Sequence, residues 1–137
     1  MQIESWIKKD VRCPLDMTFA VIGGKYKIKI VYFLMGQTLR FNELQKRIVD
    51  ATPRMLSRQL QELEQDGIIH RELYPVVPPK TEYSLTERGR SLSGLVVAMY
   101  QWGEEIFNEC GIENTCTAED EERMYHAAEE EKSGRAD

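Results

Sequence analysis

The chain has 137 residues, of which 42% are hydrophobic and 30% charged, an ordinary composition for one soluble domain with a hydrophobic core. No apolar run approaches the roughly 20 residues of a membrane-spanning helix, and the N-terminus lacks a signal-peptide core, so a cytoplasmic protein is predicted. The cysteines Cys13, Cys110 and Cys116 are too few and too irregularly spaced for a secreted disulfide framework or a C-x-x-C zinc site.

Charge is distributed unevenly along the chain. The net charge is −5, yet residues 1–103 carry 15 Lys or Arg against 11 Asp or Glu, whereas residues 104–137 carry 3 against 12. Residues 20–60 hold 8 basic and 2 acidic groups. Because charges interact over only about 8–10 Å in physiological salt, a distant acidic segment does not prevent a local basic surface from binding nucleic acid.

The first predicted helix begins near Pro14, since proline is favoured at a helix start, and it ends at Gly23 and Gly24. Helical spacing is kept along it by Leu15, Thr18, Phe19 and Ile22. In the lead-in before this helix, the candidate packing residues are Ile3, Trp6, Ile7 and Val11. Residues 25–35 are ambiguous, because they alternate like a strand at first but also keep helical spacing at Ile28, Val31, Tyr32 and Met35.

A helical hairpin follows the turn at residues 36–38. Phe41, Leu44 and Ile48 mark a short helix, which residues 50–52 interrupt. Thr52 is a favourable N-cap, and Pro53 suits the first position of the next helix. That helix is amphipathic, with Leu56, Leu60 and Leu63 on one face and Arg54, Ser57, Arg58, Gln61 and Gln65 on the other.

Two strands are predicted after Gly67, which suits the position just past the helix end. Residues 68–73 and 81–85 have strand character, and the prolines between them, Pro75, Pro78 and Pro79, indicate a tight extended turn. The pattern therefore predicts a hairpin wing after the helical hairpin.

Thr86 is predicted to cap a long final helix. Its apolar stripe comprises Leu92, Leu95, Val96, Met99, Gly103 and Ile106, with Trp102 and Phe107 at the edge. Such a stripe on an already complete domain indicates pairing with a second copy. From Glu113 onward the chain is acidic and poor in large apolar residues, which predicts a frayed helix or a disordered tail. The expected division is a DNA-binding and dimerisation domain over residues 1–107 and an acidic tail over residues 108–137.

The succession of helix, turn, helix, strand, proline turn and strand is the winged helix-turn-helix arrangement. In detail the chain resembles the HxlR-type transcriptional regulators, relatives of the MarR-like proteins. The matching residues are Cys13-Pro14, Gly23-Gly24-Lys25, Arg40 to Leu44, Met55-Leu56, Gln59-Leu60, Leu63-Glu64, Asp66-Gly67-Ile68, Tyr74-Pro75, Pro78-Pro79, Glu82 to Thr86, Gly89 and Trp102.

The resemblance covers about residues 10–107. It implies a mainly α fold with a small β-wing, a homodimer formed through terminal helices, a DNA-recognition helix, a wing near the minor groove, and helix for residues 25–35. Tyr26 departs from the family pattern, which usually has tryptophan there, although the change preserves bulk. The segment after about residue 108 lies outside the resemblance.

The candidate DNA contacts form three groups. Arg54, Ser57, Arg58 and Gln61 lie on the polar face of the recognition helix; a solvated face is the usual interpretation of such residues, but their position in a helix-turn-helix favours base or phosphate contact. Arg40, Asn42 and Thr52, at helix starts, are predicted to contact phosphates. Arg71 and Lys80 on the wing are either backbone or minor-groove contacts or solvated charges, and Lys25 and Lys27 are weaker candidates.

Cys13 is a candidate redox- or electrophile-sensing residue, because a helix N-terminus and the nearby Lys8, Lys9 and Arg12 would stabilise its thiolate. Several relatives with a Cys-Pro at this position resemble such sensors. The alternative is a small buried thiol that only packs. Cys110 and Cys116 are interpreted as inert thiols, and His70 and His126 as structural, since neither histidine has a metal-ligand partner at useful spacing.

These features favour a dimeric, sequence-specific DNA-binding transcriptional regulator. The expected partners are a double-stranded DNA operator, a second copy of the chain, and a small-molecule or oxidant inducer; no membrane, metal or cofactor is expected. A winged-helix module that binds proteins without specific DNA binding is the alternative. An enzyme is not expected, because the sequence has no phosphate-binding glycine loop, nucleophile–base pair or metal cluster.

Overall fold

The computed structural model describes residues 10–135, and within that range it forms seven helices and three short strands. The helices are α1 (Pro14–Ile22), α2 (Lys27–Leu34), α3 (Phe41–Arg47), α4 (Pro53–Gln65), α5 (Glu87–Arg90), α6 (Ser93–Cys110) and α7 (Ala118–Arg135), and the strands are β1 (Leu39–Arg40), β2 (Ile69–Tyr74) and β3 (Lys80–Leu85). Of the predicted packing residues in the lead-in, Ile3, Trp6 and Ile7 lie outside the described residues.

The three strands form one antiparallel sheet in the order β1-β3-β2. Leu39 pairs with Tyr83 across β1 and β3, and Arg71 pairs with the same tyrosine across β2 and β3. The β2–β3 hairpin is the wing, and α3 and α4 form the helical hairpin before it. The predicted winged helix-turn-helix, mainly α with a small β-wing, is confirmed.

The ambiguous residues 25–35 form helix α2 from Lys27 to Leu34. A half-buried strand would bury alternate positions, whereas here Ile30, Val31 and Leu34 are buried together, which is the three-and-four spacing of a helix packed on one side. They share the hydrophobic core with residues of α3, α4, the sheet and α6, among them Leu44, Leu60, Ile69 and Val96. The family resemblance therefore predicted this segment correctly.

Helix α4 has the ends that its sequence predicts. The Thr52 hydroxyl accepts a hydrogen bond from the Met55 N–H at 3.1 Å, and Pro53 occupies the first turn. At the other end, the Ile68 N–H donates to the Leu63 carbonyl at 2.9 Å and the Gly67 N–H to the Glu64 carbonyl at 3.0 Å. These bonds need a left-handed residue at position 67, where glycine has φ +74° at no steric cost.

The C-terminal part differs from the prediction in two ways. Thr86 caps only the four-residue α5, and the long helix α6 begins separately at Ser93. The expectation of a frayed or disordered segment after Glu113 is wrong, because Ala118–Arg135 forms helix α7. Met124 of α7 is 0% exposed, and Tyr125, Ala127 and Ala128 pack against the core beside it. The predicted boundary between residues 107 and 108 falls inside α6.

Two stacked tyrosines help to hold α7 against the rest of the domain. Tyr32 of α2 and Tyr100 of α6 stack with their ring centroids 5.9 Å apart. The Tyr100 hydroxyl donates to Glu121 of α7 at 2.8 Å and accepts from the Asn114 side-chain amide at 2.8 Å. Burial, more than any other cause, raises the pKa of both tyrosines above its ordinary value. The acidic helix is therefore held against α2 and α6 by buried apolar contacts and directed hydrogen bonds.

Candidate nucleic-acid interface

Helix α4 presents its polar face to solvent because its apolar face supplies part of the core. Leu56, Leu60 and Leu63 are fully buried. The opposite side carries the four predicted recognition residues, all of them exposed: Arg54, Ser57, Arg58 and Gln61. A helix fixed along one side, with long hydrogen-bonding side chains along the other, has the form required for insertion into a major groove.

Two open grooves lie along the wing, one beside this face and one beside the start of α3. The first is lined by Ser57 and Gln61 of α4 together with Arg71, Thr81 and Tyr83 of the wing. The second runs from Arg40 and Asn42, at the start of α3, to the wing tip and Lys80. The structure therefore brings together predicted residues from α3, α4 and the wing on one side of the domain.

Phe41 and Thr81 line both grooves, and neither was a predicted site residue. Phe41 was used, with Leu44 and Ile48, only to mark the helix, and it is half-buried. Phe41 is the first residue of α3. Helix periodicity alone does not tell whether a residue at a helix start faces the core or a surface groove.

The wing separates its two predicted cations. Side chains alternate between the faces of a strand, so the paired residues Arg71 and Tyr83 share one face, while Lys80 and Tyr74 pair on the other. Lys80 lies over the Tyr74 ring, 5.0 Å from its centroid. Burial raises the pKa of the Tyr83 hydroxyl, and the neighbouring Arg71 guanidinium acts in the opposite direction. Arg71 therefore lines the first groove, beside α4, and Lys80 lies at the edge of the hairpin.

Contacts to the start of α2 set the position of α4. The Tyr26 N–H donates to the Gln59 side-chain oxygen at 2.8 Å, and the Tyr26 hydroxyl donates to the Asp50 carbonyl at 3.0 Å. The Lys27 ammonium lies 2.6 Å from the Glu62 carboxylate, and its side chain is only 7% exposed. Lys27 is therefore a buried partner of α4, and the interpretation of it as a weak DNA contact is wrong.

Arg58 lies near the same carboxylate. Its guanidinium is 3.5 Å from Glu62, one helical turn further along α4, while its side chain is 80% exposed. An exposed pair of this kind contributes only about 0.3–0.5 kcal/mol. Because Lys27 already neutralises Glu62, Arg58 can turn toward a ligand without leaving a carboxylate unpaired.

Three further polar residues lie at helix starts, and two of them, Arg40 and Asn42, line the second groove. Arg40 precedes α3, and its backbone N–H donates to Glu43 at 2.9 Å. Asn42 is exposed in the first turn of α3. The Thr52 hydroxyl accepts the Met55 N–H, and its own hydrogen can still be donated to an anion. Exposed N–H groups and the positive end of a helix dipole favour phosphate at such positions.

Cys13 is exposed at the N-terminal end of α1. The N–H groups of Arg12 and Cys13 donate to the Asp16 carboxylate at 3.0 and 3.1 Å, and these bonds lower the pKa of Asp16. The Arg12 guanidinium lies 4.0 Å from Asp10, while Lys8 and Lys9 are outside the described residues. The interpretation of Cys13 as a buried packing thiol is therefore wrong. Cys110 and Cys116 are also exposed and free.

Within residues 10–135, no group of His, Cys, Asp and Glu side chains is arranged to hold a metal ion. In the same range, no helix is long and apolar enough to cross a membrane.

Comparison with known proteins gives matches over the same part of the chain. The sequence model described as HxlR-like helix-turn-helix matches residues 21–110. A Bacillus subtilis (strain 168) protein, the uncharacterized HTH-type transcriptional regulator YdeP, is 52% identical over 93 residues, which are 68% of this chain and 73% of the relative.

Solved structures agree with the sequence matches. The redox regulator HypR in its oxidized form aligns with a TM-score of 0.65 and 52% identity, covering 68% of this chain and 96% of HypR. The reduced form of the transcriptional regulator YodB from B. subtilis aligns with a TM-score of 0.59 and 32% identity, covering 69% and 94% of the two chains. The matched family segment ends at residue 110, so helix α7 lies outside it.

Proposed function

This chain belongs to the HxlR-like helix-turn-helix family, a family of transcriptional regulators and not of enzymes, and we propose on that basis that it binds a DNA operator sequence-specifically as a homodimer. The observation that carries the proposal is the exposed polar face of α4, which one groove connects to the wing, while a second groove connects the wing to the start of α3. Binding to the chromosome also implies a cytoplasmic location.

The proposed base contacts come from α4. Arginine recognises the O6 and N7 atoms of guanine with two hydrogen bonds, and glutamine pairs with adenine in the same way. Arg54 and Arg58 are therefore assigned to guanine edges or phosphates, and Gln61 to adenine, with Ser57 as a shorter adaptable contact. Arg58 exchanges its weak pair with Glu62 for DNA, while Lys27 stays with Glu62.

The proposed backbone contacts surround α4. Arg40, Asn42 and Thr52 lie at helix starts, where N–H groups and the helix dipole stabilise a phosphate. Arg71 is assigned to the DNA backbone beside the major groove, because it lines the same groove of the protein surface as Ser57 and Gln61. Lys80 is assigned to the backbone of the DNA strand next to the wing tip.

The proposed dimer interface is apolar and lies on α1 and α6. Phe19 is 74% and Trp102 70% exposed, and Leu15, Leu95 and Met99 are exposed on the same two helices. Exposed apolar side chains in such number are typical of an interface. A symmetric dimer would place two α4 helices in successive major grooves, so the half-sites are expected about one helical turn, roughly 34–36 Å, apart.

The acidic C-terminal segment supports this proposal over a protein-interaction module. An unattached acidic tail could compete with DNA for the basic surface, but α7 contacts Tyr100, Gln101 and the turn at Gly36. These contacts lie on α6 and on the loop between α2 and β1. The negative charge is therefore held by elements other than the α4 face.

We predict that Arg58→Ala weakens DNA binding by about 1–3 kcal/mol, roughly 5- to 150-fold, because one two-bond contact is lost. The affinity is measured by gel shift on the duplex that the wild-type protein selects from a randomised pool. Lys132→Ala is the matched control, since it removes an exposed cation from α7, and it is expected to bind normally.

In the same assay, wild-type affinity is expected to fall steeply with salt as phosphate counterions are released. An affinity that stays flat from low to high salt would contradict DNA binding through the phosphates. Unchanged binding by Arg58→Ala would remove only Arg58 from the contacts.

Regulation through Cys13 is the second part of the proposal. Its thiol is exposed at the start of α1, the helix that carries part of the proposed apolar dimer surface, and the similar protein HypR is known as a redox regulator. Modification of Cys13 would change the surroundings of Leu15 and Phe19 and thereby the spacing of the two α4 helices.

We predict that diamide or a quinone changes the DNA affinity of the wild-type protein severalfold and leaves that of Cys13→Ser unchanged. The double variant Cys110→Ser/Cys116→Ser, which keeps Cys13, serves as the control and is expected to respond like wild type. A Cys13→Ser protein that responds as wild type does would exclude sensing through this residue.

A further inference from the structure

A cleft separate from the two grooves lies where α7 packs beside the base of the wing. This α7 cleft has a volume of about 270 Å³, slightly below the roughly 300–1,000 Å³ of sites for drug-sized ligands. Its walls come from the ends of α2 and β3, the α5–α6 junction and α7, through Met35, Leu85, Arg90, Ser93, Ala127 and Glu130. The matched family segment ends at residue 110, so the α7 wall lies outside that segment.

The walls of the α7 cleft carry charges of opposite sign. Arg90 lines one wall, while Glu130 and Glu131 of α7 line another. One guanidinium N–H of Arg90 donates to the Leu85 carbonyl at 3.1 Å, and a guanidinium has five such donors, so others can bind a carboxylate. The Glu130 carboxylate lies 3.4 Å from the His126 ring in an exposed pair within α7. Such pairs are weak, so Glu130 can also accept an ammonium group.

The rest of the α7 cleft is apolar apart from one hydroxyl. Met35 and Leu85 are buried, and Ala127 is half-buried. The buried Ser93 hydroxyl donates to the Arg90 carbonyl at 2.7 Å, and its oxygen can still accept a hydrogen bond. Apolar walls with a few polar groups that fix orientation are the usual form of a small-molecule site.

The mixed charge restricts the class of ligand. A free anion would be attracted by Arg90 but repelled by Glu130 and Glu131, and a simple amine would be repelled by Arg90. A molecule that carries both a carboxylate and an ammonium group satisfies both walls at once. Its remaining part must then be apolar, because Met35 and Leu85 offer no hydrogen bond from their side chains.

We propose that the α7 cleft binds a free α-amino acid with an apolar side chain. The carboxylate binds the Arg90 guanidinium, the ammonium binds Glu130, and the side chain packs against Met35 and Leu85. The ligand thereby links α7 to the end of wing strand β3, because Arg90 also holds the Leu85 carbonyl. The inference goes beyond the proposed DNA binding and does not depend on it.

The test is thermal unfolding of the full chain without DNA, followed by circular dichroism, with each proteinogenic amino acid in turn. An apolar amino acid is expected to raise the unfolding midpoint by about 5–10 °C at roughly 100 times its Kd. Its N-acetyl derivative lacks the ammonium and its carboxamide lacks the carboxylate, so neither should shift the midpoint. By calorimetry, Arg90→Gln and Glu130→Gln should each bind the amino acid at least about tenfold more weakly, since each loses a charge-assisted bond.

Matched controls remove a like charge nearby. Arg88→Gln changes the same short helix but a residue that lines a different cleft, and Glu129→Gln changes the exposed neighbour of Glu130; both should bind as wild type does. The proposal is overturned if no amino acid shifts the midpoint, or if the two derivatives shift it equally. It is also overturned if Arg90→Gln is stabilised as much as wild type, since that is a general solute effect. Should Arg90→Gln lose its fold, Glu130→Gln decides in the same way, because Glu130 is exposed and its loss leaves the core intact.

Discussion

Replacing Met124 with alanine is expected to lower the free energy of unfolding by about 2–5 kcal/mol, the usual effect of truncating a buried methionine to alanine. Met124 of α7 is 0% exposed, and it belongs to the same hydrophobic core as buried residues of the matched family segment. The loss combines the transfer of the removed atoms with the cavity that they leave. The measurement is urea unfolding followed by far-UV circular dichroism.

The matched control is Met55→Ala, because Met55 is exposed on α4, and surface substitutions usually stay within about 0.5 kcal/mol. Equal stability of Met124→Ala and wild type would mean that α7 is not docked in solution. A separate early transition, with loss of helix from about residues 118–135 only, would mean that α7 undocks before the rest of the domain unfolds.

The C-terminal helix shows where sequence patterns mislead. An acidic segment rich in alanine and glutamate has few large apolar residues and so resembles a solvated tail. Its attachment depends on one methionine, two alanines and a tyrosine at helical spacing, together with the Tyr100–Glu121 hydrogen bond. Each is a weak signal, because the partner residues lie 20 or more positions away and only the fold brings them together.

The helical hairpin and wing, in contrast, could be predicted almost residue by residue. Their signals are local: a threonine–proline start, a glycine that must adopt positive φ, and prolines that interrupt two strands. The polar face of α4 follows from the same periodicity that buries Leu56, Leu60 and Leu63. The positions of these elements follow from local sequence signals, and the tertiary contacts agree with them.

The assignment of individual cations could not be made from the sequence. Lys27 lies in the basic segment and looks like its neighbours Lys25 and Lys29, but the packing of α2 on α4 buries it against Glu62. Arg71 and Lys80 are similar by sequence, yet the strand register puts them on opposite faces of the wing. Position relative to another element is what decides whether a lysine or arginine meets DNA, and periodicity within one element does not supply it.

The Lys27–Glu62 pair leads to the second large effect. Glu62→Ala is expected to destabilise the protein by about 2 kcal/mol, because it leaves the Lys27 ammonium buried without its carboxylate. Removing one partner of a fully buried pair costs about 3–5 kcal/mol. The expected value is lower here since the Glu62 side chain is 40% exposed, and water that reaches its site would partly solvate Lys27.

A double-mutant cycle separates the effect of leaving the Lys27 ammonium unpaired from the effect of losing other Glu62 contacts. Lys27→Met keeps the length and apolar stem of the side chain and removes the ammonium, so Glu62→Ala in that background should cost far less than in wild type. Arg58→Ala breaks only the exposed pair and is expected to change stability by about 0.5 kcal/mol or less. If Glu62→Ala costs the same with and without the Lys27 charge, the buried pair does not hold α4. If the cost disappears with Lys27→Met, the position of α4 depends on the Lys27–Glu62 ion pair. Stability and DNA affinity can then be varied separately through Lys27 and Arg58.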